Sequence, residues 1–310
     1  MPKQRSLIAD YAVYLLVRVL VCIIQALPYR LAIGLADGLA WLAFRIDRRH
    51  RGVAEDNLRH AFPEITSPGD MEPCVRSVFR HFCRLVIDIA FLPRKLHANN
   101  WRRHVELSGA RALVDRLLSD RPLLLLTGHF GNWEMGGWIM GLFGFRSYAV
   151  ARELDNPFLG DFLGRFRKGT GQKLLAKKGD FDQMQAILAH GGVIATLADQ
   201  DAGQRGLFVD FFGRPASTHK AVALLALEFR VPLLVIGVCK TDGPLRYRVV
   251  VEEAIWPEEY EGRPAAVKEM TQRFTTILER IIRTAPDQYF WLHRRWKHQP
   301  KAKKGKQAAA

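Results

Sequence analysis

The sequence predicts an α/β fold in which a mixed sheet is flanked by helices and preceded by an amino-terminal helix that associates with a membrane. Three observations predict this fold. The chain begins with long apolar segments, continues with a region of helical periodicity, and then alternates short apolar runs with helix-like segments. Strands that alternate with helices are typical of a parallel or mixed sheet covered by helices.

The first apolar segment runs from Leu7 to Leu27 and would form about 31 Å of helix, close to the hydrocarbon thickness of a bilayer. Asp10 and Arg18 interrupt it, and Arg18 reaches water only from a shallow position, which favours partial insertion. Lys3 and Arg5 precede it as in a signal peptide, but the stretch is too long and no small-residue cleavage site follows. We expect it to be retained. Whether it spans the bilayer or lies in the interface stays open, and a buried helical hairpin is the alternative.

A second apolar stretch, Leu31 to Ile46, ends in a basic cluster at residues 45–51. Cytoplasmic flanks of membrane segments are the ones enriched in Lys and Arg, and the heavier cluster follows the apolar stretches. We therefore expect residues 1–50 to anchor the chain, with the main domain, residues 51–298, on the cytoplasmic side. Residues 299–310 are expected to form a basic, flexible tail.

Between Gly52 and Leu118, apolar residues recur at the three- and four-residue spacing of helices that bury one face. The short apolar runs that follow are predicted to be strands: Pro122 to Thr127, Ser147 to Val150, Gly192 to Leu197, Leu207 to Phe212, Leu233 to Cys239 and Tyr247 to Val251. The segments between and after them are predicted to be helices: Trp133 to Phe143, Pro157 to Lys168, Phe181 to His190, Thr218 to Phe229 and Ala265 to Arg283. The apolar face of the last helix is expected to pack on the sheet.

Composition limits the partners. A hydrophobic content of 48% excludes a disordered chain. The net charge of +15 indicates an acidic partner, which could be nucleic acid, an anionic bilayer surface, or an acidic carrier protein or substrate. The four cysteines are scattered, which favours a reducing compartment over a disulfide framework or a zinc cluster.

The stretch TGHFGNWEMGG places a histidine in a glycine-containing loop directly after a predicted strand. His129 then lies at the carboxyl edge of the sheet, where open α/β sheets bind ligands. Asn132 is a predicted helix cap, and Glu134 in the first helical turn can fold back toward the imidazole as the orienter of a general base. The glycines would admit substrate, and helix-start amides would stabilise an oxyanion. On spacing alone, a capping glutamate beside a loop histidine is an open alternative.

Further stretches occur in a particular order along the chain: ARELDNPFL at 151–159, LADQDAG at 197–203, VDFFGRPAST at 209–218 and APDQYFWLHRRWK at 285–297. With HFGNWE and the apolar amino terminus, nearly the whole chain resembles the bacterial late acyltransferases of lipid A biosynthesis. The histidine, four residues, acid pattern of that family falls on His129 and Glu134. The resemblance implies acyl transfer from an acyl carrier protein, or less often coenzyme A, to a hydroxyl of a membrane lipid. It implies no metal and no redox cofactor.

The charge agrees with this resemblance. An acidic carrier protein, an anionic glycolipid such as a lipid A precursor, and an anionic leaflet each account for a basic protein. Nucleic acid would account for the charge but not for the apolar amino terminus, so it is not an expected partner. The predicted location is the cytoplasmic face of the bacterial inner membrane.

Six further residues are candidates for substrate binding. Arg152, at a predicted strand end, could bind a phosphate or carboxylate with its planar guanidinium. Asp199 and Asp201 suit ion pairing in a charged cleft, and Asp210 could be a second partner of His129. Whether Glu134 or one of these three aspartates is the closer partner of His129 stays open. The remaining two, Arg294 and Arg295, are candidates for the anionic head group of the acceptor.

The sequence leaves rival functions open. A different acceptor, such as a phosphatidylinositol mannoside, a lysophospholipid or an aminolipid, would keep the acyl chemistry. A glycosyltransferase would use Asp199 and Asp201 to hold manganese or magnesium beside a nucleotide sugar. A basic scaffold on the membrane surface would have no chemistry.

Overall fold

A computed structural model describes residues 6–300 except 66, 108, 120, 152, 153, 170 and 177–180. The described α-helices are α1 (Leu7–Ala26), α2 (Tyr29–Ile46), α3 (Arg48–Ala61), α4 (Pro68–Lys95), α5 (Arg111–Leu117), α6 (Trp133–Leu142), α7 (Pro157–Lys168), α8 (Phe181–Ala189), α9 (Ala221–Phe229) and α10 (Ala266–Thr284). The described strands are β1 (Val105–Glu106), β2 (Leu123–Thr127), β3 (Ser147–Ala151), β4 (Lys173–Ala176), β5 (Val193–Leu197), β6 (Leu207–Phe211), β7 (Arg214–Thr218), β8 (Leu233–Lys240) and β9 (Tyr247–Ile255).

Seven strands form one sheet in the order β1-β9-β8-β2-β5-β3-β4. Strands β8, β2, β5, β3 and β4 run parallel, whereas β9 is antiparallel to β8 and β1 is parallel to β9. Helices cover the sheet, so the predicted mixed α/β fold is confirmed. The adjacency of β2 and β5, with Thr127 paired to Leu197, brings the loops that follow these two strands together.

The central strand β2 is buried on both faces, as a run of four leucines requires. Leu124 and Leu126 face the core that contains α10 and the carboxyl-terminal aromatic residues. Leu123 and Leu125 face the core that contains α6. The predicted packing of the last helix on the sheet is therefore confirmed.

Strand β7 differs from the sequence-based prediction, which placed the start of a helix at Thr218. Pro215 weakens the strand pattern because proline lacks a ladder donor. Nevertheless β6 and β7 form a separate antiparallel hairpin. Phe212 and Gly213, at φ of 54° and 76°, provide the two left-handed residues of its tight turn. Helix α9 consequently begins only at Ala221.

Among the described helices, α1 is long and apolar enough to cross a membrane, with a mean hydropathy of 2.3 over its best window. Only 6% of that window is buried. The alternative of a buried helical hairpin is wrong, because large apolar side chains of both α1 and α2 are exposed.

Candidate active site

The carboxyl ends of β2 and β5 bring a histidine and an aspartate into contact. His129 Nδ1 lies 2.8 Å from Asp199 Oδ1, and the His129 backbone N–H donates to Asp199 Oδ2 at 2.7 Å. The Asp199 carboxylate is 3% exposed and the imidazole 22% exposed. If Nδ1 carries the proton donated to Asp199, Nε2 is left as the proton acceptor. The two contacts fix both the tautomer and the direction of the ring.

Asp199 therefore takes the orienting position expected for Glu134. Among the described residues, the Glu134 carboxylate is bound by Arg167, whose Nε donates to Oε2 at 2.9 Å and whose Nη2 donates to Oε1. Glu134 and Arg167 line an apolar cavity between the sheet and α6, together with Trp133 and Gln172. The prediction that the Glu134 carboxylate contacts His129 is therefore wrong, because the first turn of α6 directs this carboxylate toward Arg167 in α7.

Burial and charge oppose each other at the imidazole. Burial alone would lower the pKa of His129, but the charge and hydrogen bond of Asp199, with a smaller contribution from Glu134, raise that pKa above its ordinary value. Burial would raise the pKa of Asp199, and the proximity of His129 and Arg295 holds it below its ordinary value. Asp199 therefore stays ionised next to the imidazole and stabilises its protonated form.

Arg295 and Tyr289 support Asp199 from the carboxyl-terminal segment. Burial, and after it the negative charge of the neighbouring Asp199, raise the pKa of the Tyr289 phenol well above its ordinary value. Arg295 is 2% exposed and donates to Ser217 O and Thr218 Oγ1, both at 2.6 Å. The expected role of Arg295 in binding an acceptor head group is wrong, because a buried guanidinium cannot reach a lipid.

Two glycines of the loop are required by close contacts within the fold. A Cβ on Gly131 would lie 1.9 Å from Val238 O, and this glycine has φ of 58°. A Cβ on Gly128 would lie 3.2 Å from the Asp199 carboxylate. These two glycines therefore admit β8 and Asp199, and the expectation that the glycines make room for substrates stays a prediction.

Two amides just before the start of α6 are engaged by the protein, while the expectation of oxyanion donors in the first turn of the helix stays a prediction. The Gly131 N–H donates to Gln288 O at 2.9 Å and the Asn132 N–H to Val238 O at 2.8 Å. Asn132 Oδ1 accepts from the Met135 N–H at 2.9 Å, which confirms the predicted cap of α6. These amides, like that of His129, cannot stabilise a substrate oxygen.

Aromatic rings and one amide surround the exposed edge of the imidazole. The Trp133 ring lies 5.0 Å and the Phe290 ring 6.0 Å from the His129 ring, between centroids. Gln200 Nε2 lies 3.5 Å from His129 Nε2. The imidazole therefore has two aromatic neighbours, and the nitrogen that would accept a proton has one side-chain amide near it.

Asp201 and Asp210 lie in other contacts. Asp201 Oδ2 accepts from His298 Nδ1 at 2.6 Å and from the Gly203 N–H at 3.1 Å. Asp199 and Asp201 thus contact different histidines. Among the described residues no group of three potential metal ligands occurs. Asp210 is exposed and accepts from the Gly213 N–H at 2.8 Å in the β6–β7 turn, so the expectation that it is a second partner of His129 is wrong.

Arg152 and Arg294 are the other two arginines predicted to bind substrate. Arg152 lies outside the described residues. Arg294 is exposed and belongs to the same segment as Phe290, whose N–H donates to His129 O at 2.9 Å. A head group bound near Arg294 would therefore lie on the same segment that borders the histidine loop.

The sequence reasoning missed Arg167, Gln200 and the direct support from Tyr289. Gln200 lies between the two aspartates of ADQDAG, so its place next to Asp199 was the available signal. Arg167 gave no such signal, because it belongs to the ordinary basic end of α7.

Comparison with known proteins supplies the family. Residues 2–298 match the family model described as bacterial lipid A biosynthesis acyltransferase. The chain belongs to this family. It is 26% identical to a lipid A biosynthesis palmitoleoyltransferase of Escherichia coli over 280 residues, 88% of this chain and 87% of the relative. It is 27% identical to the lipid A biosynthesis lauroyltransferase of the same organism over 284 residues, 90% of this chain and 89% of the relative.

More distant similarity extends to another acceptor class. A phosphatidylinositol mannoside acyltransferase of Mycobacterium tuberculosis is 30% identical over 133 residues, 41% of this chain and 42% of the relative. The resemblance read from the motifs is thus confirmed, and the protein is an acyltransferase of the lipid A biosynthesis family that acts on a lipid acceptor.

Proposed function

We propose that His129 is the general base for acyl transfer from a thioester to a hydroxyl of a lipid A precursor, and that Asp199 orients it. His129 Nε2 removes the proton of the acceptor hydroxyl while the oxygen attacks the thioester carbonyl. The carbon–sulfur bond then breaks, and the leaving thiolate takes the proton from the imidazolium. The products are an ester and a thiol. The observation that carries this proposal is the two-point contact between His129 and Asp199.

Glu134 keeps a catalytic role in this proposal, but through charge rather than contact. Its carboxylate contributes to the raised pKa of His129 and favours the imidazolium that forms during transfer. Arg167 holds that carboxylate in place at the start of α6. Breaking this partly buried pair would disturb the helix that begins four residues after His129.

Gln200 is the donor that the geometry offers to the developing oxyanion. Its amide lies beside His129 Nε2, on the side where hydroxyl and thioester must meet. A side-chain amide that donates to a tetrahedral intermediate is a known means of lowering the barrier to acyl transfer. We assign Gln200 this role, because its amide lies next to His129 Nε2 while the His129, Gly131 and Asn132 amides are engaged by the protein.

We infer that the donor is an acyl carrier protein, with acyl coenzyme A as the alternative. The net charge of +15 supports an acidic partner. The exposed Arg294 is proposed to contact the anionic head group of the acceptor. Arg152, which lies outside the described residues, is proposed to do the same. Asp201 is proposed to position the segment that carries His298, next to the same site.

We also propose that residues 1–50 hold the acyltransferase domain, residues 51–298, at the cytoplasmic face of the bacterial inner membrane. Apolar side chains exposed on α1 and α2 support a membrane surface. The basic cluster after α2 supports the cytoplasmic face, where anionic lipids attract Lys and Arg. The acceptor is then within reach of a protein that stays at the surface.

A reconstituted assay tests this function. The purified chain, an acyl carrier thioester and a lipid A precursor are expected to give free thiol and a lipid heavier by one acyl group, observed by mass spectrometry. His129→Ala should lose almost all transfer while still binding vesicles. Normal turnover by that variant would overturn the mechanism.

The same assay separates the rival functions. Phosphatidylinositol mannoside is the alternative acceptor, because the similarity to acyltransferases of that lipid points to it. Transfer to it, and not to the lipid A precursor, would change the acceptor but keep the reaction. Chelator-sensitive turnover of a nucleotide sugar would replace the reaction itself.

A further inference from the structure

The amino-terminal helix α1 lies along the body of the protein from Asp10 to Gln25. Its inward residues recur at three- and four-residue spacing and are partly or fully covered: Asp10, Tyr14, Val17, Arg18, Val21, Ile24 and Gln25. The opposite face is exposed and apolar: Leu7, Ile8, Tyr11, Val13, Leu15, Leu16, Val19, Leu20 and Ile23. All three strongly polar residues of the helix, Asp10, Arg18 and Gln25, are on the inward face.

Contacts hold α1 at its beginning, middle and end. Asn156 Nδ2 donates to Asp10 O at 2.8 Å, beside the start of α7. The Arg18 guanidinium lies 4.9 Å from the centre of the Phe162 ring in α7. Gln25 Nε2 donates to Ala90 O at 2.7 Å in α4. The attached part of the helix is about 22 Å long, at 1.5 Å per residue.

A helix attached in this way cannot cross the hydrocarbon alone. If α1 spanned the bilayer, the parts of α7 and α4 that it touches would lie at different depths of the membrane. Charged residues of these helices, such as Arg165 and Lys168 in α7 and Arg84 in α4, would then have to enter hydrocarbon. Neither helix is apolar enough to do so.

Helix α2 repeats the arrangement. Its buried residues are Ala32, Ala36, Ala40 and Phe44. Asp37 is paired with Arg84 through two 2.6 Å hydrogen bonds. Its outward stripe is apolar and exposed: Leu31, Leu35, Leu39, Trp41, Leu42 and Ile46. The charges on that side, Arg30 and Arg45, are confined to the two ends of the helix.

A basic groove adjoins the end of this stripe. It is lined by Arg45, Arg48, Arg51 and Arg76 around Phe44, with two glutamates. The Arg45 guanidinium lies 4.2 Å from the centre of the Trp41 ring. Arginines and tryptophan beside an apolar helix face fit the head-group level of an anionic leaflet.

We propose that α1 is not a transmembrane helix and that α1 and α2 are both interfacial, with their outward apolar faces in a single leaflet of an anionic bilayer. The inference rests on the membrane association proposed above, but not on the acyl chemistry. It places both ends of α1 on the side of the catalytic domain. The inward polar face of α1 then stays on the protein and never meets lipid.

The side of the membrane on which Ser6 lies tests this inference. In a cysteine-free variant that retains transfer activity, Ser6→Cys and Glu258→Cys are exposed reporters at the start of α1 and on the catalytic domain. We expect a membrane-impermeant maleimide to label both in inverted inner-membrane vesicles and neither in spheroplasts. Labelling of Ser6→Cys from the face opposite to Glu258→Cys would overturn the proposal. An amino-terminal epitope on the otherwise unaltered chain, probed by protease, gives the same answer if the cysteine-free variant does not fold.

Depth along the helix gives an independent result. Spin labels at Ile8→Cys, Leu16→Cys and Ile23→Cys are expected at one shallow depth, as is Leu35→Cys, in vesicles that contain phosphatidylglycerol. A spanning helix would instead put position 16 near the bilayer centre and positions 8 and 23 near opposite surfaces. Failure to float with vesicles at all would reject the proposed membrane association, and is thereby distinguished from a wrong topology.

Discussion

At the residue scale, the Gln200 amide is proposed to donate a hydrogen bond to the developing oxyanion. We expect Gln200→Ala to lower kcat about 100-fold or more, as loss of an oxyanion donor does, with little change in the KM for the thioester. The measurement is steady-state thiol release. The control is Gln204→Ala, which changes an exposed glutamine of the same loop. Equal and small effects of the two changes would remove Gln200 from the mechanism.

Arg295 is expected to act on stability through its buried charge. Arg295→Met removes the donor to Ser217 and Thr218 and one positive neighbour of Asp199, so the free energy of unfolding should fall by about 2–4 kcal/mol. Arg294→Met, at the exposed neighbouring position, should change it by less than about 0.5 kcal/mol. Denaturant unfolding measures both. Similar losses would mean that the guanidinium contributes no more than a surface charge.

At the scale of elements, the loop between β2 and α6 depends on a glycine that touches another strand. Gly131→Ala should destabilise the fold more than Gly144→Ala, because only the first change drives a methyl group into the Val238 carbonyl. Both positions have positive φ, so Gly144→Ala isolates the backbone strain of about 1 kcal/mol. The melting temperatures of the two variants measure this difference. An equal decrease in both would show that the contact with β8 can relax.

At the scale of the whole molecule, the net charge predicts how the donor is captured. With an acyl carrier thioester, kcat/KM should fall steeply as salt rises, because salt screens attraction between a basic enzyme and an acidic carrier. With an acyl coenzyme A thioester the slope should be shallower, since fewer charges are involved. Identical slopes for the two donors would contradict carrier recognition by the basic surface.

The local sequence pattern predicts the helices and strands of this molecule better than it predicts which of them lie side by side. The leucines of β2 followed by Gly128 and His129 place a histidine at the sheet edge from sequence alone. That Asp199 is its partner depends on β5 lying beside β2, and periodicity does not give strand order. The contribution of Tyr289 depends on a segment that returns to the loop 160 residues after His129.

In the candidate site, likewise, the sequence predicts position along the chain but not the contacts of a side chain. Glu134 was expected to reach His129 because the two are close in sequence, but the side chain on the first turn of α6 points toward Arg167 on α7. The expected spacing was correct and the expected direction was not. Direction is set by packing between helices, which a single sequence does not contain.

The pH dependence of kcat/KM tests the central claim, that Asp199 orients and charges His129. The base must be neutral, so activity falls on the acidic side as His129 gains a proton, at a pKa that Asp199 raises. Asp199→Asn removes that negative charge while burial still lowers the pKa, so the acidic limb should move to lower pH. The rate should also fall by about 100-fold or more.

Glu134→Gln is the matched control, because it removes a carboxylate that contributes less to the same pKa and does not contact the ring in the described structure. We predict a smaller shift of the acidic limb for Glu134→Gln than for Asp199→Asn. An unchanged limb in Asp199→Asn, with a large shift in Glu134→Gln, would contradict the account and return the orienting role to Glu134.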